Sequence, residues 1–490
     1  MQVKKIVSLC ALACAAMAGS SAHAALSAAA IADLDSAVPA GRIVFISGAS
    51  AVQKGFTSVI ASTFTGTPVY YSVKGGGKST KVTDADFVAV SGTLAAGTGT
   101  WAGQKAVVIY RVKGGSVYGV NSVAREDMIE SMLVNTTSCG TSGTGTSADP
   151  YSCGTTTMAP DAGVSDIAPK HFVYGVNTEG EIPAEALNDI EIGRLTSTPL
   201  YGLAFGIPVT NTVPDTVKFN RATIAAIMSG NVGTWSSVAN AGSGDIIVCR
   251  RVPGSGTQAV YNMWANNTSC PGTSVDPADR YASDAWDDGA RTFTYDPASP
   301  KNGLVVIENS TSGNVRDCLN AAVNGGTYKT SDRSGYEVTV NFVAGGNKAI
   351  GTLSMDSLKD SLSSGKWQFR ALDGVGKLVQ DTAGAAPTTV VPAGYSAGKV
   401  PSFDAYENGD WDLQGWVSFN VPARTTGAKL EFLNKFVSNA QSTAVLQATA
   451  DLKFVAAGIP SNAGVSGPYA LDAEYLGNNQ CNPYQRNYND

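Results

Sequence analysis

The sequence predicts an α/β chain of two lobes, each a mostly parallel sheet flanked by helices, with a ligand cleft between them. Three observations carry that prediction. Apolar strand-like runs alternate with runs at helical spacing along most of the chain. Several of the strand ends pass into glycine- and serine-rich turns that open the next helix. Without its leader the chain keeps about 466 residues, enough for two lobes. In such folds ligands sit at the carboxyl ends of strands, beside helix starts.

The first element is a leader. Met1-Gln2-Val3-Lys4-Lys5 precedes an apolar run and Ala22-His23-Ala24, the pattern of a secretory signal cleaved after Ala24. The expected location is therefore periplasmic or secreted. Arg42 to Ile46 reads as a buried strand, and Val52, Phe56, Val59 and Ile60 mark one face of the helix after it. Ser50 is the candidate hydroxyl donor of that turn. Val69 to Val73 is the next strand, running into Gly75-Gly76-Gly77-Lys78-Ser79-Thr80. That turn is not a phosphate-cradling P-loop, because Ser72 stands where the pattern needs its first glycine. Ala106 to Val112 is a strand that leads to Gly114-Gly115-Ser116, a third hydroxyl turn, with a helix expected after it.

Residues 135–162 form a Gly/Ser/Thr-rich insertion, whose Cys139 and Cys153 are expected to pair. Gly163-Val164-Ser165-Asp166 follows, and Asp166 has two readings. It caps a helix, or it accepts a proton from a bound anion and so selects protonated phosphate over sulfate. Leu203 to Val209 is an apolar run able to carry the chain between lobes. Asn220 to Trp235 predicts a helix with Ile224, Ile227 and Met228 on one face and Gly230 at its end. Further on, Asn314 to Ala322 reads as helix, Ala349 to Leu353 as strand, and 382–399 as loop. Trp416 to Val421 reads as strand, Leu430, Leu433 and Val437 as a helix face, and about 461–490 as a tail without periodicity.

The stretch from Cys249 to Val260 organises the rest. A strand end carries Arg250 and Arg251, a glycine turn follows, and Val260, Met263 and Trp264 recur at helical spacing. Ser255 then falls near the helix cap. A helix start presents unpaired N–H groups and the positive end of the dipole. Gly256 lets an anion approach them, Ser255 and Thr257 add hydroxyls, and Arg251 offers a two-pronged guanidinium. The competing reading is a surface turn with solvated arginines.

Composition narrows the function classes. The formal charge of −6 becomes −8 once Lys4 and Lys5 leave with the leader, and only 15% of residues are charged. No broad basic face for nucleic acid or anionic lipid is expected. His171 is the one histidine left after the leader, which excludes a multi-histidine metal site, and it reads as a surface residue. No nucleophile stands with a plausible base, so neither an enzyme nor a cofactor is predicted. Six cysteines remain, and the pairing of Cys249, Cys270, Cys318 and Cys481 stays open.

Arg250-Arg251-Val252-Pro253-Gly254-Ser255-Gly256-Thr257 resembles the R-x-D-G-S-G-T loop of the periplasmic phosphate-binding proteins that serve phosphate ABC importers. Gly48-Ala49-Ser50-Ala51, Gly114-Gly115-Ser116, Gly163-Val164-Ser165-Asp166, Gly206-Ile207-Pro208-Val209, Gly230 to Trp235 and Ala349-Ile350-Gly351 follow in the same order. The resemblance implies a class II periplasmic-binding-protein fold that closes on phosphate or a related oxyanion and docks on an ABC permease, as a monomer. It places Ser50, Ala51 (through its N–H), Ser116 and Asp166 on one lobe, and Arg251, Ser255, Gly256 and Thr257 on the other. The first lobe is expected to span 25–207 and 413–490, the second 208–412. Pro253 departs from the family's loop aspartate, which helps hold the arginine. That departure, with the insertion and tail, keeps a second reading in play: an exported structural or adhesive protein with altered ligand binding.

Overall fold

A computed structural model describes residues 26–75, 81–140, 142–173, 175–178, 186–272, 274–281, 291–372, 403–448, 455–456, 473–476 and 479–486. The leader, the glycine turn at 76–80, the 382–399 loop and most of the tail lie outside the described residues.

Two parallel trios of strands form the centres of the fold. Ile43–Gly48 lies between Lys105–Arg111 and Ala162–Ser165, parallel to both. Ile246–Arg251 lies between Leu304–Asn309 and Ala349–Gly351, again parallel to both. Fully buried Val44, Phe45, Ile46, Ile246 and Ile247 explain why these are central strands: both faces of each are covered. Leu195–Thr210 and Gln414–Pro422 pair antiparallel and join the trios, the second strand bonding to Ala162–Ser165 and the first to Ala349–Gly351. Further antiparallel strands, Phe64–Val73 and Phe87–Leu94, extend the first trio. The sheet is therefore mixed. Phe64–Val73, Phe87–Leu94 and Lys105–Arg111 are antiparallel neighbours in chain order, whereas Leu195–Thr210 and Gln414–Pro422 meet antiparallel across about 200 residues of sequence.

The helix Gln53–Ala61 buries Phe56, Val59 and Ile60, as the spacing predicts. Gly427–Ala440 differs from expectation. Phe432, Leu433 and Phe436 form its buried face, because Phe436 stacks on Phe56 and Phe419 at 4.9 and 5.1 Å, which leaves Leu430 and Val437 at the rim. Arg221–Met228 is helical and Gly230 turns the chain at its end at φ 83°, as expected, while Trp235, the limit of the expected stretch, begins a separate short turn whose indole donates to the Lys348 carbonyl. The run expected at 203–209 is the end of a longer strand, Leu195–Thr210.

Cys139 and Cys153 are bonded as expected, and the insertion they close adds Tyr151–Ser152 to the sheet edge. Cys249 pairs with Cys318, tying the arginine-bearing strand to the helix Ser312–Asn324. Cys270 pairs with Cys481, anchoring the tail. No helix among the described residues is long and apolar enough to cross a membrane.

Candidate functional site

Three turns at the carboxyl ends of the first trio are pressed together by glycine. Gly48 has φ 139°, and a Cβ on it would overlap the Val164 carbonyl; Gly119 and Gly163 are equally close to one another. Ala49 N–H donates to that same Val164 carbonyl at 3.0 Å. This contact brings three residues to one corner: Ser50, Ser116 at the start of a 3-10 turn, and Asp166 directly after Ala162–Ser165. The Asp166 N–H donates to Ser116 Oγ at 3.1 Å. Asp166 caps no helix. Its side chain reaches Thr257, in the helix Gly256–Asn266.

From the second trio come Arg251, the last residue of its strand, and the helix Gly256–Asn266. Ser255 is the N-cap, and its Oγ accepts from the Gln258 N–H at 3.4 Å, so this hydroxyl serves the helix as well as facing the corner. Thr257 Oγ1 donates to Asp166 Oδ2 at 2.8 Å, and Arg251 Nη1 donates to Ser50 Oγ at 2.9 Å. The Val117 N–H donates to the Gly254 carbonyl at 2.8 Å. Gly256 backs directly onto Ser116 and Asp166, where a Cβ would sit 2.9 Å from the Asp166 Cβ. Ala51 is buried beside them, its carbonyl accepting from Ser354 Oγ at 3.4 Å. Six of the eight residues singled out in the sequence, Ser50, Ser116, Asp166, Arg251, Gly256 and Thr257, thus meet at one corner, with Ala51 and Ser255 buried next to them in the chain, and the most exposed, Ser50, is 7% accessible.

Burial sets the electrostatics. It pushes the Asp166 carboxyl up to about 6, helped by nearby Asp356 and opposed by the Thr257 hydrogen bond and the Arg251 charge. Asp166 Oδ1 is buried with no hydrogen-bond partner. An orphaned oxygen of this kind costs about 1–3 kcal/mol unless something donates to it.

No protein-family model and no curated protein matches this chain. Some solved structures are similar over most of the chain, at low identity and with TM-scores below 0.4. One is a candidate phosphate ABC transporter substrate-binding protein from Clostridium perfringens, solved with phosphate: 11% identity, TM-score 0.39, over 83% of this chain and 95% of that one. An ABC-type phosphate transport receptor from Vibrio cholerae gives 11% and 0.37, over 83% and 96%. A phosphate-binding protein from Stenotrophomonas maltophilia gives 14% and 0.36, over 82% and 84%. The case for a ligand rests on the corner itself.

Residues missed in the sequence complete that corner. Arg251 Nε donates to the Asn309 carbonyl at 3.2 Å, Nη1 also reaches Ser312 Oγ at 3.4 Å, and Nη2 donates to the Ser310 carbonyl. Gln258 Oε1 accepts from the Arg251 N–H at 3.3 Å. The end of the neighbouring strand therefore orients the guanidinium. A signal was present: Ser310-Thr311-Ser312 follows an apolar strand and opens a helix, the same arrangement as the other hydroxyl turns.

Two cavities flank the corner. One, about 360 Å³, runs between the trios past Ser50, Ser312 and Asp356. The other, about 390 Å³, lies on the far side of Arg251 and reaches Arg250 and Arg333. His171 corrects an expectation. It is fully buried, its Nδ1 meets Ser269 Oγ at 2.9 Å, and burial pushes it down to about 3, so it stays neutral. Cys270 and Cys481 come close to it, but their disulfide removes both thiolates as metal ligands.

Proposed function

We propose that this is an exported solute-binding protein that captures inorganic phosphate, or a related protonated oxyanion, between two lobes. The lobes divide at 207/208 and 412/413, and the closed form delivers its ligand to an ABC importer. One observation supports the reading above all. A guanidinium, a carboxylate and three hydroxyls from distant parts of the chain converge in one buried corner through the Arg251–Ser50 and Thr257–Asp166 bonds, with Asp166 Oδ1 unpartnered.

Each group has a chemical task. Arg251 gives two charge-assisted donors to oxygens of one anion. The start of the helix Gly256–Asn266 adds backbone N–H groups and the positive end of the dipole. Asp166 repels a fully ionised anion but accepts a proton from HPO4 or H2PO4, so sulfate is disfavoured. No covalent step is involved. Micromolar affinity requires only about −8 kcal/mol, within reach of one guanidinium and several desolvated hydrogen bonds.

Calorimetric titration of the mature chain checks this. Saturable phosphate binding that sulfate does not displace is expected, and Arg251→Ala abolishes it. A flat phosphate titration of the folded protein refutes the proposal. A second reading, an exported structural or adhesive protein, is favoured by one observation: protein oxygens already accept from Arg251, and Gly256 packs against Ser116. Under it phosphate changes neither heat nor melting temperature, in wild type or variant.

A further inference from the structure

The geometry points to a ligand longer than inorganic phosphate: a phosphomonoester whose second part is a small neutral polyol lying in the cavity between the trios. This deepens the phosphate reading and rests on it. Inorganic phosphate has five non-hydrogen atoms and is served by the corner alone. Yet Ser50 of the corner, with Ser312 beside it, also lines a cavity of about 360 Å³, a volume in the range of about 300–1,000 Å³ found for small organic ligands. The junction is specific. Ser50 and Ser312, which both accept from Arg251 Nη1 at 2.9 and 3.4 Å, line the cavity's inner end. A phosphoryl group held by Arg251 would therefore have its ester oxygen facing the cavity.

The walls define the arm. Among the described residues, five aspartate or glutamate and four lysine or arginine side chains line the cavity, so these give it no surplus positive charge for a second anion. Its aromatic content is nil among the described residues, which leaves a nucleobase without a stacking surface. What remains is hydrogen bonding. Asp84 and Lys113 lie on one side, Asn314 and Asp317 on the other, and Asp356, held by Ser354 Oγ at 2.6 Å, stands at the inner end. Carboxylates and amides at close quarters accept and donate to hydroxyls, and a site built for a hydroxyl discriminates strongly against ligands without one.

The test is calorimetric titration of the mature chain with inorganic phosphate, glycerol 3-phosphate and free glycerol. Glycerol 3-phosphate is expected to bind at least tenfold tighter than phosphate, with no measurable binding of glycerol. Replacing two exposed acids outside the corner, Asp84→Ala with Asp317→Ala, should remove about tenfold of the ester's affinity and leave inorganic phosphate and the melting temperature unchanged. Phosphate bound as tightly as the ester, and lost in Arg251→Ala, overturns the polyol arm and leaves the phosphate reading standing. An ester advantage that survives the double variant overturns the cavity as the arm's place. Failure of both ligands to bind overturns both readings.

Discussion

Arg250 and Arg251 are consecutive residues of one strand, and their surroundings differ completely. The strand alternates faces, so Arg250 turns to Glu308, at 2.9 Å, while Arg251 turns to the corner. Glu308 is fully buried and also accepts two bonds from Arg333, at 2.7 and 3.0 Å. One arginine therefore belongs to a buried ionic network that fixes the neighbouring strands. The other is steered by hydroxyl and carbonyl oxygens, from Ser50, Ser312, Asn309 and Ser310, and its charge acts on Asp166 across the corner. Nothing in the dipeptide Arg250-Arg251 tells them apart. The difference is written in the partner strand, where Glu308 faces Arg250 and Asn309 faces Arg251.

The sharpest way to break this comparison is Glu308→Ala. It removes the buried carboxylate shared by Arg250 and Arg333, of which Arg333 keeps Asp279 at 2.8 Å, and should cost about 3–5 kcal/mol, read as a lower urea midpoint. Phosphate affinity of the folded fraction should hold. A large loss of affinity at unchanged stability would mean that the wrong arginine has been assigned to the corner.

Asp166 offers the next effect, and it has the opposite sign. Its carboxyl is raised from 3.8 to about 6 by burial, so the folded state takes up the proton more readily than the unfolded chain. The group's stabilising contribution is complete below 3.8 and is lost as pH rises through about 6. At pH 8 the buried charge should therefore cost up to about 3 kcal/mol relative to acid pH, at about 1.4 kcal/mol per pKa unit. Asp166→Asn should raise the urea midpoint at pH 8 and flatten its pH dependence between 4 and 8. It should also admit sulfate. An unchanged pH profile would show that the carboxyl is not buried in solution.

How much of this was legible beforehand depended on whether the determining contact was local. The Ser255 cap, the face of Gln53–Ala61 and the strand ends could be read directly, because each is a pattern within a few residues. The convergence of Ser50, Ser116, Asp166 and Arg251 followed only from the shared order of glycine-hydroxyl turns, not from any single one. His171 was misread, because a lone histidine says nothing of the tail and the disulfide that cover it. The support of Arg251 by Asn309 and Ser310 uses backbone carbonyls, which every residue carries, so the sequence could not mark them. The mostly parallel sheet was overestimated for a similar reason: pairing across Leu195–Thr210 and Gln414–Pro422 is long-range.

Gly256→Ala probes the contact between the two sides of the corner. The new methyl group must displace Ser116 or Asp166, which overpacking places at about 1–3 kcal/mol. Separation of the two sides should relieve the clash, so small-angle scattering should show a larger radius of gyration. An unchanged radius with full phosphate affinity would show that the corner in solution is looser than the Gly256–Ser116 contact implies.

Ser255→Ala is the smallest change and separates the two roles given to one hydroxyl. As a cap, Ser255 accepts from the Gln258 N–H over a long 3.4 Å, so its loss should cost about 0.5–1 kcal/mol, the lower part of the range for caps. As an anion donor it would contribute more, because hydrogen bonds to charged groups are worth about 1.5–3 kcal/mol. The two effects appear in different measurements. A small drop in melting temperature with unchanged phosphate affinity assigns the hydroxyl to the helix alone. A loss of affinity of tenfold or more, with the same small drop, assigns it to the anion, since one lone pair can receive the Gln258 proton while the hydroxyl hydrogen points into the corner.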